Sequence, residues 1–158
     1  MLVTILGRDG VIFRSGEVVV EQRTILPGDS APYRVIFPAE RDYLLSQRFG
    51  GVSVRLLRAD PVIGRPTRLV TLQAQSQPIE RDDGRYGVRL EISNVGPEDA
   101  SDVRAMVTLY DAAGRVVGYR MVEIAVIFAG ETVSMTLPVI AATANDDLHH
   151  TLHVEMGR

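Results

Sequence analysis

The sequence predicts an all-β chain organised as two antiparallel sandwiches in tandem. Three observations carry that expectation. Apolar and polar residues alternate with a period of two over most of the chain, and segments of helical period are nearly absent. Clusters of Gly, Pro, Asp and Asn separate the alternating runs, as turn chemistry requires. Part of the chain is also written twice, residues 2–38 answering to residues 106–141. Leu2-Val3-Thr4-Ile5 matches Met106-Val107-Thr108-Leu109, and Gly10 matches Gly114 at the same offset. Leu26-Pro27-Gly28-Asp29-Ser30 matches Phe128-Ala129-Gly130-Glu131-Thr132, and Val52-Ser53-Val54-Arg55 matches Leu152-His153-Val154-Glu155. A repeat of roughly 100 residues indicates tandem small domains.

In the first copy, residues 3–6 form a strand, Arg8-Asp9-Gly10 its turn, and residues 11–25 a long return strand. A strand over 33–37 runs to Pro38. Residues 39–49, with Leu44 and Leu45, hold one or two helical turns, and a strand over 52–57 closes the copy. Pro61, Gly64 and Pro66 give residues 61–67 the composition of a linker. The domains are therefore 1–60, incomplete, and 68–158, complete.

The second copy opens with a strand over 69–79, and Asp82-Asp83-Gly84 is its turn. Residues 86–94 alternate most clearly, Val88, Leu90 and Ile92 on one face and Arg89, Glu91 and Ser93 on the other. A polar loop through Glu98 and Asp99 leads to a strand over 103–110, with Val103, Ala105, Val107 and Leu109 inward. Asp111-Ala112-Ala113-Gly114 is a tight hairpin loop in which Gly114 supplies a positive φ. The return strand, 116–127, is long enough to bend or to switch sheets midway. Residues 132–137 follow, Pro138 confining that strand to an edge or ending it, and a last strand covers 150–156. About seven strands in this length fit a β-sandwich.

Two strands precede the hairpin in the second copy and none precedes it in the first. Without the side chains they would bury, the first copy is expected to be unfinished by itself. Upstream residues of a longer protein, a strand from another subunit, or packing onto the second domain would each complete it.

Composition limits function. The net charge is −3 with the signs interspersed, which excludes the clustered basic stripe of a nucleic-acid binder. No apolar run approaches the roughly 20 residues that cross a bilayer, and the start has no basic region of a signal peptide. Cysteine is absent, which removes disulfides and thiolate metal sites. All 17 basic residues are Arg, so any charge guarding a strand edge must be Arg. The lack of Trp argues against a sugar-stacking platform.

The stretch from Glu91 through Asn94 and Gly96, residues 103–111, Gly114-Arg115-Val116-Val117-Gly118 and Gly130-Glu131-Thr132 resembles the FxLYD domain family. Leu109, Tyr110 and Asp111 stand at the Leu-Tyr-Asp of that pattern, Val107 replaces its Phe, and Ala129 replaces a Pro before Gly-Glu. The likeness spans about 86–137 and is degenerate at 2–60, where Ile5-Leu6-Gly7 has lost the Tyr-Asp. The resemblance implies an immunoglobulin-like β-sandwich in each copy, from an extracytoplasmic bacterial or archaeal protein. It further implies a non-catalytic module lying beside other domains or a membrane anchor outside this chain. It brings no active-site residues.

The residues themselves offer no catalytic, cofactor-binding or metal-binding set. His149 and His153 share a strand face about 13 Å apart, too far for one zinc ion, so the three histidines read as solvated strand residues. No serine has a plausible histidine and acid set. Glu98, Asp99 and Asp102, with Asp146 and Asp147, would offer oxygens to calcium if their loops met, in a ligand-binding accessory domain for carbohydrate or another polymer. Tyr110 is expected to pack over the neighbouring sheet and Asp111 to accept backbone N–H bonds in its turn. If the first core is open, Tyr33, Val35, Phe37, Tyr43 and Phe49 are the candidate interface to a protein partner or a second copy. The expectation is a structural or interaction module, with no nucleic acid and no cofactor.

Overall fold

The computed structural model describes residues 1–20, 22, 25, 31, 33, 35, 49–59, 71–80, 86–141 and 147–156. It divides into two compact units, Met1–Gly64 and Arg65–Arg158. The described residues are all-β, in three small antiparallel sheets of three strands each.

The first unit contains β1 (Leu2–Gly7), β2 (Ile12–Glu17) and β3 (Phe49–Arg55), in the spatial order β2-β1-β3. The expected 11–25 return strand is therefore shorter. β2 keeps strand form only as far as β1 pairs with it, and the ladder closes with mutual bonds between Met1 and Val18. Gln22 and Ile25 lie outside any strand, as do Tyr33 and Val35 of the expected 33–37 strand. The expected helical turns at 39–48 lie outside the described residues, and Phe49 opens β3.

The second unit contains β4 (Leu72–Glu80), β5 (Tyr86–Asn94), β6 (Ala100–Tyr110), β7 (Val116–Ile127), β8 (Thr132–Val139) and β9 (His149–Met156). One sheet has the order β4-β5-β8 and the other β7-β6-β9. The two share one core. Val88, Leu90, Ile92, Leu137 and Val139 come from the first sheet, and Ala100, Val103, Ala105, Val107, Leu109 and Ile127 from the second. Period-two alternation produces most of this arrangement, because successive side chains point to opposite faces. Ala100 and Val103, three apart on β6, share the core across Asp102, whose φ is 55°. β4 and β9 adjoin at one edge of the pair, β7 and β8 at the other. The unit has six described strands rather than seven, because β7 pairs with β6 from Val116 to Ile127 without switching sheets. Pro138 sits inside β8 opposite Gly87, and Pro78 inside β4 opposite Val88. Both are edge strands, where a missing N–H donor is tolerated. The Asp82-Asp83-Gly84 turn lies outside the described residues.

The repeat is visible as hydrogen bonding. Val3 pairs with Gly16 as Val107 pairs with Arg120, and Ile5 with Arg14 as Leu109 with Gly118. Both ladders skip one residue at the same place, Phe13 and Val117, so both return strands carry a bulge there. Both loops end on a glycine in the left-handed region, Gly10 at φ 78° and Gly114 at φ 73°. The bonds Gly7 N to Val11 O and Gly10 N to Gly7 O recur as Asp111 N to Arg115 O and Gly114 N to Asp111 O. On the far side of each hairpin's first strand lies the third strand, β3 or β9. Here the residue match shifts. Val3 faces Val54 whereas Val107 faces Leu152, so Val54 corresponds to Leu152 in space, two residues from its sequence match. A slip of two leaves every side chain on its own face.

Candidate functional site

The residues that carry the family resemblance turn out to fasten loops. Asn94 ends β5 fully buried. Its Oδ1 accepts the Gly96 N–H at 3.1 Å, closing the turn that follows, and its Nδ2 donates to Glu98 O at 2.7 Å and Ile127 O at 3.0 Å. Its backbone accepts from Gly130 N and donates to Glu131 O, so one residue ties the β5–β6 loop to the β7–β8 turn. Glu131 Oε2 then caps Phe128 N, and Asp99 Oδ1 accepts Ala129 N from across the loop. The Asp99 carboxylate is thus engaged in holding the fold. Asp102 adopts φ 55°, the left-handed region that Asp tolerates better than most residues. Among the described residues no three His, Asp or Glu side chains gather as a metal cluster, and Asp146 lies outside them.

Asp111 performs the turn role expected of it. Its Oδ1 accepts from Ala113 N and Arg115 N at 3.0 and 2.9 Å, and its Oδ2 meets both Arg115 Nε and NH2. Hydrogen bonds from the Arg115 backbone and side chain hold its carboxyl below the usual carboxylate range. In the first hairpin the corresponding position is Gly7, and Asp9 does part of the work, accepting Val11 N at 3.0 Å. Tyr110 departs from expectation. Its ring stacks on His149 of the adjacent strand, centroids 5.3 Å apart and planes 16° from parallel, within its own sheet.

The histidines separate by parity. His149 and His153 lie on the outward face of β9, where His153 Nε2 is 3.7 Å from Glu155. His150 is on the opposite face, with Leu152 and Val154, and is not the solvated residue expected. Its Nδ1 lies 2.9 Å from Tyr86 Oη on β5, and its Nε2 lies 3.0 Å from Ser76 Oγ on β4. Serine beside imidazole invites a nucleophilic reading, but the third member is a phenol. Burial pushes the Tyr86 hydroxyl up, so it stays neutral and supplies no counter-charge to a forming imidazolium. The arrangement suits bridging two sheets better than attacking a carbonyl. The parity of His150 with Leu152 and Val154 was the signal in the sequence that could have found it.

The remaining feature is in the first unit. On one face of its sheet, Val3 and Ile5 of β1 stand beside Val54 and Val52 of β3. Val3 is buried, but Val52 and Val54 are 52% and 45% exposed, with Leu56 and Leu57 also open beyond the strand. The spatial counterparts of the two valines on β9 are Leu152 and His150, both partly buried where β4 adjoins β9. Phe49 begins β3 and is 48% exposed, Tyr33 is exposed and Val35 half-buried, while Phe37 and Tyr43 lie outside the described residues. As an edge, β3 carries no Pro and one charge, Arg55 at its end. On the second unit, a shallow polar depression lined by Gln75, Gln77, Arg89 and Glu91 lies on the outer face of β4 and β5, with no aromatic ring to stack a sugar.

No protein-family model and no curated protein matches the chain. Among the described residues no helix is long and apolar enough to cross a membrane.

Proposed function

We propose that the chain is a non-catalytic structural or protein-interaction module whose first unit is completed by a β-segment from another copy. One observation carries this reading: among the described residues β3 is an edge strand, with two half-exposed valines on the face whose counterpart in the second unit meets a neighbouring strand. An unguarded, apolar edge is a template for strand addition, in which backbone bonds supply affinity and side-chain pockets supply register. The β4-β5-β8 sheet of the second unit is guarded differently, with Pro78 and Pro138 on its two edge strands. The resemblance to FxLYD domains supports an immunoglobulin-like sandwich in each copy and an extracytoplasmic setting beside other domains or an anchor. Asn94, Asp111 and Glu131, three residues that carry the resemblance, fasten loops by hydrogen bonds, which supports a structural role for them.

Light scattering on the full chain over a dilution series tests the assembly. The expected result is a dimer or larger species that dissociates on dilution, and dissociates at higher concentration in Val54→Lys, where a charge must be desolvated to join. A monomer at every concentration overturns the reading.

A further inference from the structure

The His150 ring spans the gap between two sheets that, among the described residues, no backbone ladder joins. β9 is an edge of one sheet and β4 an edge of the other, and side chains link them here. Tyr86 Oη and Ser76 Oγ stand 2.9 and 3.0 Å from the two ring nitrogens, and the Tyr86 ring meets the imidazole edge-on with centroids 5.9 Å apart. All three side chains are half-buried.

We propose that His150 is a pH-operated clasp: neutral, it ties β9 to β4 and β5, and protonated, it releases that edge of the second unit. A neutral imidazole offers one donor and one acceptor nitrogen, and a hydroxyl can take either role. Tyr86, His150 and Ser76 therefore form a satisfied chain in either of two proton arrangements. An imidazolium donates from both nitrogens, so both hydroxyls must accept and their own protons need other acceptors. The charge also sits in a site partly shielded from water, which favours the neutral form. Burial first, and then the charge of His149, hold the His150 proton affinity below the ordinary histidine range.

Among the described residues, the titratable groups bearing on this ring are Tyr86 from β5 and His149 on its own strand. β4 presents Ser76, and β6 places Leu109 opposite, neither of which titrates. Tyr86 keeps its proton throughout the range concerned. The closed edge binds the proton less tightly than the open one, so closure is complete above the ordinary histidine value of about 6.5. It weakens as pH falls through that value and levels off below the closed-state value.

Amide hydrogen exchange on the full chain at about pH 7.5 and about pH 5.5, corrected for intrinsic exchange, brackets that range. The expected result is lost protection in β4 and β9 at the lower pH, while the β5–β8 ladder keeps its own. The opening constant should rise by up to about tenfold for each unit separating the two proton affinities. His150→Gln, whose amide both donates and accepts, should remove the pH response, whereas His149→Gln should retain one. An undiminished response in His150→Gln overturns the proposal. If that variant does not fold, the wild-type titration decides: a His150 ring-proton resonance titrating at or above about 6.5 overturns it, and one titrating lower supports it.

Discussion

Asn94 shows how much of this fold rests on single polar side chains. Fully buried, it satisfies the Gly96 N–H and the carbonyls of Glu98 and Ile127. An unsatisfied buried group costs about 1–3 kcal/mol, so Asn94→Leu, which strands more than one, should destabilise the second unit by about 3 kcal/mol or more. Chemical denaturation monitored in the second unit would check this. Asp111 makes a different demand. Its carboxyl is held below the usual range by Arg115, so its contribution is present above the ordinary carboxylate value near 3.9 and is lost as pH falls further. Thermal melts between about pH 6 and about pH 3 should therefore fall more steeply for wild type than for Asp111→Asn, which has no charge to lose. Asp111 was legible in the sequence because a turn-forming acid before a glycine has a local job. His150 was not, because its partners lie on β4 and β5, 74 and 64 residues away in the chain.

At the scale of elements, the two hairpins make an internal control. The same loop, bulge and register recur with Gly10 and Gly114 at φ 78° and 73°, where a Cβ meets no other atom but the backbone is unfavourable for an L-residue. Gly10→Ala and Gly114→Ala should each cost about 1 kcal/mol through φ alone, with little other change in either ladder. Matched melting curves of the two variants would show it. Strand alternation made β5 readable to its end residues, because it presents a dry face to the core and a wetter face outward. The ends of β7 were readable from the turns on either side, at Gly114 and Gly130, since Ile127 alone of its residues is buried. The end of β2 was not readable in the same way. Val18-Val19-Val20 continues to favour a strand, yet ladder bonds decide where a strand stops, and β1 pairs with it only to Glu17 before the closing Met1–Val18 bonds. The β3 register escaped for a related reason. Val52 and Val54 are both valines on one face, so sequence similarity cannot tell apart two pairings that differ by two residues.

At the scale of the molecule, the two units achieve burial differently. The second has two three-stranded sheets around a closed core, and truncating a fully buried member such as Leu90 to Ala should cost about 2–5 kcal/mol. The first shows one three-stranded sheet among the described residues, built on the same hairpin, with Val3 buried but Val52 and Val54 open. Among the described residues β3 is an edge beside the open Val52 and Val54, and we assign its free backbone to pairing with a strand of another copy. That claim is local, so the most direct measurement is local too: backbone amide exchange in residues 49–57 of the full chain at high and at low protein concentration. Amides of β3 should gain protection as concentration rises, while those of β5 and β6 should not change. Equal exchange in β3 at both concentrations, in a chain that stays monomeric, would contradict it.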